Sequence, residues 1–271
     1  MKHRLDIRKH AWVRMVPNAL TLCNSLCGFA AILYMLRAYE VDIRSGNTLW
    51  VFVVAAIMIF SAMVFDAFDG FAARLLNASS VHGIQMDSLS DMVTFGVAPA
   101  VLVAIMTHCL RAWELNRGQE VLVYLLSSIY LGGAALRLAT YNVHAMLEKK
   151  SSDRFTGLPS PGAAAAICVT VFYAYDTRFD LHKLAFILPI YAAVLGLLMT
   201  SKIPYIHAGK WLQSTRRRPK RLLFLAFILL FVLVFRVAGL ALVVTGYVLS
   251  GPVMMLIRAF TSSSSETKAE I

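Results

Sequence analysis

Charge is scarce in this chain. Only 15% of its 271 residues are Asp, Glu, Lys or Arg, against 59% hydrophobic residues, a balance that excludes an ordinary soluble domain. Acidic residues are the rarer sign, 15 against 26 basic ones, which leaves a formal charge of +11. Cysteine is sparse too: Cys23, Cys27, Cys109 and Cys168 all fall within or beside apolar runs. They read as small packing residues, so neither a disulfide framework nor a thiolate metal site is expected. No A-x-A-type cleavage site follows the first apolar run, and Val16 to Ala38 is longer than a signal h-region, so an uncleaved membrane span is expected there. The chain has no clear internal repeat.

Long apolar runs fill the rest. A bilayer core about 30 Å thick takes roughly 20 helical residues to cross, and eight stretches approach that requirement: about 18–37, 49–75, 88–110, 121–142, 161–177, 183–200, 222–237 and 239–257. The expected fold is therefore an all-α, polytopic membrane bundle of about eight transmembrane helices. Basic residues accumulate in cytoplasmic loops. With the N-terminus inside, nineteen of the 26 Lys and Arg residues fall on cytoplasmic segments and seven on the opposite side, which predicts that both ends face the cytoplasm. The run "RRRPKR", Arg216–Arg221, reads as a topology signal flanking a span and able to attract anionic membrane lipid; it is too short to suggest nucleic-acid binding. Three regions result: a core over 1–210, a basic linker with two further spans over 211–260, and a polar tail over 261–271 that is expected to be disordered.

Against that background, "DAFDGFAARLLNASSVHGIQMDSLSD" is unusual, because it sets Asp66, Asp69, Asp87 and Asp91 at the junction of two apolar segments. Spacings of three and four residues place each pair on one helix face, and two adjacent helices could bring all four carboxylates into one small volume. Carboxylates so close repel one another, and Arg74 is the one Arg or Lys residue in the stretch. Hard divalent cations, Mg²⁺, Mn²⁺ or Ca²⁺, would balance the charge, and a pair of them is what phosphoryl chemistry uses to hold a diphosphate. Gly70, Ala73 and Gly83 leave room for close approach. A cation transporter is the alternative from another class, since intramembrane acids line ion pathways; acids gathered at one end of two spans fit a pathway less well.

Written out, the stretch reads D-x-x-D-G-x-x-A-R-x(8)-G-x-x-x-D-x-x-x-D, and it resembles the signature of the CDP-alcohol phosphotransferases at every fixed position. Further stretches, "VPNALTLCNSLCGFAAI", "DSLSDMVTFGVAPA", "GAALRLATYNV", "FTGLPSPGAAA" and "SKIPY", are similar to the bacterial integral-membrane members that use L-serine, over roughly residues 11–210. The resemblance implies an enzyme that transfers the phosphatidyl group of CDP-diacylglycerol to the serine hydroxyl by metal-dependent direct displacement, giving phosphatidylserine and CMP. Glycerol phosphate, an inositol phosphate or choline are the competing acceptors. It also implies Asp66, Asp69 and Asp87 as metal ligands, Asp91 as ligand or neighbour of a second ion and as general base, two Mg²⁺ or Mn²⁺ ions, a bacterial inner-membrane location and a possible homodimer. Asn18, Thr21 and Asn24 form a polar strip on the first span and, with Gly70, Ala73, Arg74 and Gly83, are candidates for contact with CDP-diacylglycerol. Arg137, Asn142, Thr94 and Ser88 are candidates for binding serine.

Overall fold

The computed structural model describes residues 2–40, 48–76, 80–111, 116–147, 157–205 and 219–266. Among these residues the chain is helical throughout: α1 Lys2–Leu36, α2 Thr48–Leu75, α3 Val81–Asp91, α4 Ala98–Arg111, α5 Arg117–Leu147, α6 Ser160–Asp176, α7 Leu181–Thr200 and α8 Pro219–Glu266. A six-residue π-helix, Met92–Val97, joins α3 to α4. Six stretches among the described residues are long and apolar enough to cross a membrane, from Met15–Tyr39 to Ala226–Ile257, so the chain is an integral membrane protein. The helix α6, the fifth expected span, has 17 residues, about 25 Å at 1.5 Å per residue. It sits deep in the bundle, with Ile167, Cys168 and Val171 fully buried.

The seventh and eighth expected spans share α8. Arg236 interrupts it at φ 49°, ψ −124°. Residues eight apart in a straight helix are separated by about 12 Å along the axis, yet a Cβ at Gly239 would stand 2.9 Å from the Phe231 carbonyl oxygen. The element is therefore two limbs, 219–235 and 237–266, meeting at a sharp bend. The second limb continues to Glu266, into the tail that composition alone assigns to disorder. No Gly or Pro stands in 261–266 to stop it, and each added residue extends an existing helix at little cost. Residues 211–218, which hold Arg216, Arg217 and Arg218 of the basic run, lie outside the described residues.

Helices in lipid gain little from apolar contact alone, so close backbone approach has to hold them together. Glycines Gly133 of α5 and Gly196 of α7 provide it. A Cβ on Gly133 would strike the Gly196 carbonyl, and one on Gly196 would lie 2.6 Å from the Ile129 carbonyl oxygen. At the entrance to α6, Gly157 adopts φ +88° and donates its N–H to the Ile203 carbonyl at 2.8 Å, while Leu158 N–H bonds the Leu198 carbonyl at 3.0 Å. The first three residues of the "GLPSPG" stretch, 157–159, are thus a turn clamped to the end of α7, and Ser160 opens α6. Large side chains from α2, the π-helix, α4, α5, α6 and α7 (Phe52, Phe95, Leu102, Tyr130, Ile167 and Leu195) fill the centre and are fully buried. Leu22, Leu26, Phe29 and Leu33 of α1 are half exposed, on a face that lipid would cover.

Candidate active site

The last turns of α2 carry Asp66 and Asp69, and α3 carries Asp87 and Asp91. The entry to α3 is fixed by Ser80, whose hydroxyl accepts from the Gly83 N–H at 3.0 Å and so caps the helix. This arrangement turns both carboxylate pairs toward α1. One carboxylate oxygen each from Asp66, Asp69 and Asp87 lie within 4.8 Å of one another. Asp91 lies outside that group of three and stands near enough to Asp66, Asp87 and Asp69 for their charges to interact.

The polar strip of α1 lines the same volume. Thr21 Oγ1 donates to Asp69 Oδ2 at 2.7 Å, and Asn24 Nδ2 donates to Asp91 Oδ1 at 3.2 Å. Asn18 Oδ1 would be 3.7 Å from a Cβ on Gly83, so it faces that glycine. Two more bonds lock α1 to the segment behind the aspartates: Ser90 Oγ to the Thr21 carbonyl at 2.8 Å and Thr94 Oγ1 to the Asn24 carbonyl at 3.0 Å. Thr94 lies on the π-helix and is fully buried. Its hydroxyl is committed to backbone, which places it among the groups that hold the site in shape. Single π-helical turns within α-helices occur frequently at functional sites.

Two observations bear on what the cluster can hold. The Asn24 Oδ1 atom is buried and has no hydrogen-bond partner, an acceptor in a position where such atoms are ordinarily satisfied. Among the described residues the ion pairs are His108 with Glu120 and Lys183 with Asp180, remote from these acids. Arg74 is exposed and folds over Gly70, with a terminal nitrogen 3.8 Å from where a Cβ on Gly70 would be. Among the described residues, therefore, no ion pair neutralises the cluster. Oxygen donors with unmatched negative charge are a donor set suited to a hard divalent cation, and Asp66, Asp69 and Asp87 could hold one.

Across the volume stands a second group. Arg137 of α5 is half-buried and donates from Nη1 to Ser160 Oγ, at the first residue of α6, at 2.6 Å. Its electrostatic neighbours include Asp91, Tyr130, Tyr141 and Tyr247. Ser88 and Asn142 bond each other, Oγ to Oδ1 at 2.6 Å, and Ser88 also reaches the Ile84 carbonyl at 3.1 Å. Those two side chains join α3 to α5. Sequence reasoning missed Ser90, Tyr130, whose hydroxyl bonds the Phe95 carbonyl at 2.8 Å, Ser160 and Tyr141. Signals existed for two of them: Ser90 stands between two of the aspartates in "DSLSD", and Tyr141 follows Arg137 by one helical turn.

On the outer face of α2, one turn from the aspartates, a shallow groove of about 530 Å³ is lined by Phe60, Met63, Val64, Ala67, Phe68 and Phe71. Apolar walls beside a charged, oxygen-rich pocket suit a molecule with a hydrocarbon part and an anionic head. Comparison with known proteins agrees with that chemistry. A family model described as CDP-alcohol phosphatidyltransferase matches residues 14–200. The chain is similar to proteins named CDP-diacylglycerol–serine O-phosphatidyltransferase from three organisms. It is 29% identical to that of Helicobacter pylori strain J99 over 192 residues, 70% of this chain and 71% of the relative. It is 33% identical to that of Bacillus subtilis strain 168 over 195 residues, 72% and 92%, and 32% identical to that of Saccharomyces cerevisiae over 216 residues, 76% and 70%.

Proposed function

Because the chain belongs to the CDP-alcohol phosphatidyltransferase family, we propose that it transfers the phosphatidyl group of CDP-diacylglycerol to the hydroxyl of L-serine, giving phosphatidylserine and CMP. The observation that carries this reading is the pairing of an acidic pocket built from Asp66, Asp69, Asp87 and Asp91 with Arg137 on its far wall. An acceptor with a hydroxyl and a carboxylate matches that pairing, its carboxylate on the arginine and its hydroxyl against Asp91. The names of the relatives supply the acceptor.

In this reading the serine oxygen forms a bond to the lipid-linked phosphorus as the bond from phosphorus to the CMP oxygen breaks. Asp91 accepts the hydroxyl proton, held in place by the Asn24 amide that donates to its Oδ1. Thr21 keeps Asp69 aimed into the pocket in the same way. Asn18, Gly70, Ala73, Arg74 and Gly83 border the space for the CDP moiety, with Arg74 offering positive charge to a phosphate. A divalent ion bound by Asp66, Asp69 and Asp87, with Mg²⁺ or Mn²⁺ the best-matched choices, supplies positive charge that offsets both the carboxylates and the diphosphate. The acyl chains would lie along the groove of α2, reached sideways from the lipid. A water-soluble acceptor would arrive from the cytoplasm, which fits a bacterial inner-membrane protein with both termini inside.

Incubation of the purified protein with CDP-diacylglycerol and, separately, L-serine, glycerol 3-phosphate, inositol phosphate and choline tests the reading. CMP release with serine alone, abolished by a chelator and restored by Mg²⁺ or Mn²⁺, is the expected result. Release with another acceptor in place of serine would refute the acceptor assignment, and ion flux through liposomes without CMP release would refute the enzyme.

A further inference from the structure

Nothing so far gives a role to the terminal helix α8, which lies beyond the family-matched residues 14–200. Its second limb nevertheless reaches the far wall of the pocket. Tyr247 packs against the start of α6, where a Cβ on Gly162 would lie 3.0 Å from its Cε1 atom. That glycine is two residues past Ser160, which carries the bond to Arg137. The limb is held in register from the other side by Tyr205, whose hydroxyl donates to the Val248 carbonyl at 2.9 Å and whose ring centroid is 6.0 Å from that of Tyr247. Tyr247 also belongs, with Asp91, Tyr141 and Tyr130, to the groups near enough to the Arg137 guanidinium to interact with it.

We infer that Tyr247 is a positioning residue for acceptor selection: together with Ser160 it fixes the Arg137 guanidinium so that it receives the acceptor's carboxylate. This rests on the functional reading above and deepens it. A guanidinium presents its donors in a planar fork that matches a carboxylate in one orientation, and a long flexible side chain loses affinity when that orientation is not held. Ser160 fixes one edge of the fork. Tyr247 packs on the same first turn of α6 at Gly162, so the segment outside the family core tunes which acceptor the core accepts.

The test uses the full-length protein in liposomes and measures CMP release with L-serine and with L-serine methyl ester, which keeps the hydroxyl and lacks the carboxylate. Tyr247→Phe is expected to raise KM for L-serine about tenfold, lower the serine-to-ester preference by the same factor, and leave KM for CDP-diacylglycerol and the unfolding temperature in place. Ser160→Ala, which frees Arg137 from its other anchor, is expected to show the same signature. An unchanged preference in both variants, or a loss that falls equally on CDP-diacylglycerol, would overturn the assignment of Tyr247. A wild-type protein that does not use L-serine would overturn the functional reading beneath it, and the two failures are distinguishable in one experiment.

Discussion

Two seams hold this bundle together, and they are made of different materials. Between α1 and the α3–π segment the contacts are polar: Thr21 on Asp69, Asn24 on Asp91, Ser90 and Thr94 on the backbone of α1. Between α5 and α7 they are nearly bare backbone, with Gly133 set against Gly196 and Gly196 against Ile129 and Tyr130. Neither seam draws on the hydrophobic effect, because lipid tails are as apolar as the side chains they would replace. The glycine seam fixes distance and little else. The polar seam fixes the direction of individual carboxylates, which is what a reaction centre requires.

Substitutions in each seam should therefore separate activity from stability. The largest effect is expected from Asp87→Asn, which keeps the shape of the side chain and removes a charge from the cluster: CMP release should fall by about 10³-fold, equivalent to ~4 kcal/mol of barrier, with the unfolding temperature unchanged or raised. A fall in stability of comparable size would mean that the acids serve the fold. Next comes Gly196→Val, which places methyl groups where the Ile129 carbonyl and Tyr130 backbone stand. A loss of about 3 kcal/mol or failure to assemble in detergent is expected, read by thermal unfolding, and a stable protein with altered activity alone would erase the distinction between the seams. Smallest is Thr21→Val, which deletes one hydrogen bond to a carboxylate: activity should drop about tenfold, from a loss of ~1.5 kcal/mol in holding Asp69, while the helix contact survives through Ser90.

The polar seam was the more legible of the two in sequence. Asp66, Asp69, Asp87 and Asp91 announce themselves because carboxylates at three- and four-residue spacing in apolar helices have few structural uses, and Asn18, Thr21 and Asn24 show the same periodicity on α1. Helix positions followed from hydropathy: α2, α6 and α7 begin and end within two residues of the apolar runs. Less could be read where the deciding interaction joins residues far apart in the chain. Thr94 looked like an acceptor contact, yet its hydroxyl goes to a carbonyl on α1, 70 residues away. Ser160 lies within the quoted "FTGLPSPGAAA" stretch, but nothing there singles it out, since its importance comes from the orientation of α6 relative to Arg137. The π-helix at Met92–Val97 was hidden because its residues, "MVTFGV", satisfy the same apolar pattern as an α-helix.

The order of these parts along the chain has a consequence for how the protein is made. All four acids are synthesised by residue 91, whereas Arg137, Ser160 and Tyr247 follow later, and domains emerge and begin to fold from the N-terminus. During translation the four acids thus stand together, with exposed Arg74 as the nearest Arg or Lys residue in sequence, while roughly fifty more residues are added before Arg137 of α5. A divalent cation captured at that stage would act as an assembly factor, closing α1, α2 and α3 into a finished half-site before α5 and α6 have left the ribosome.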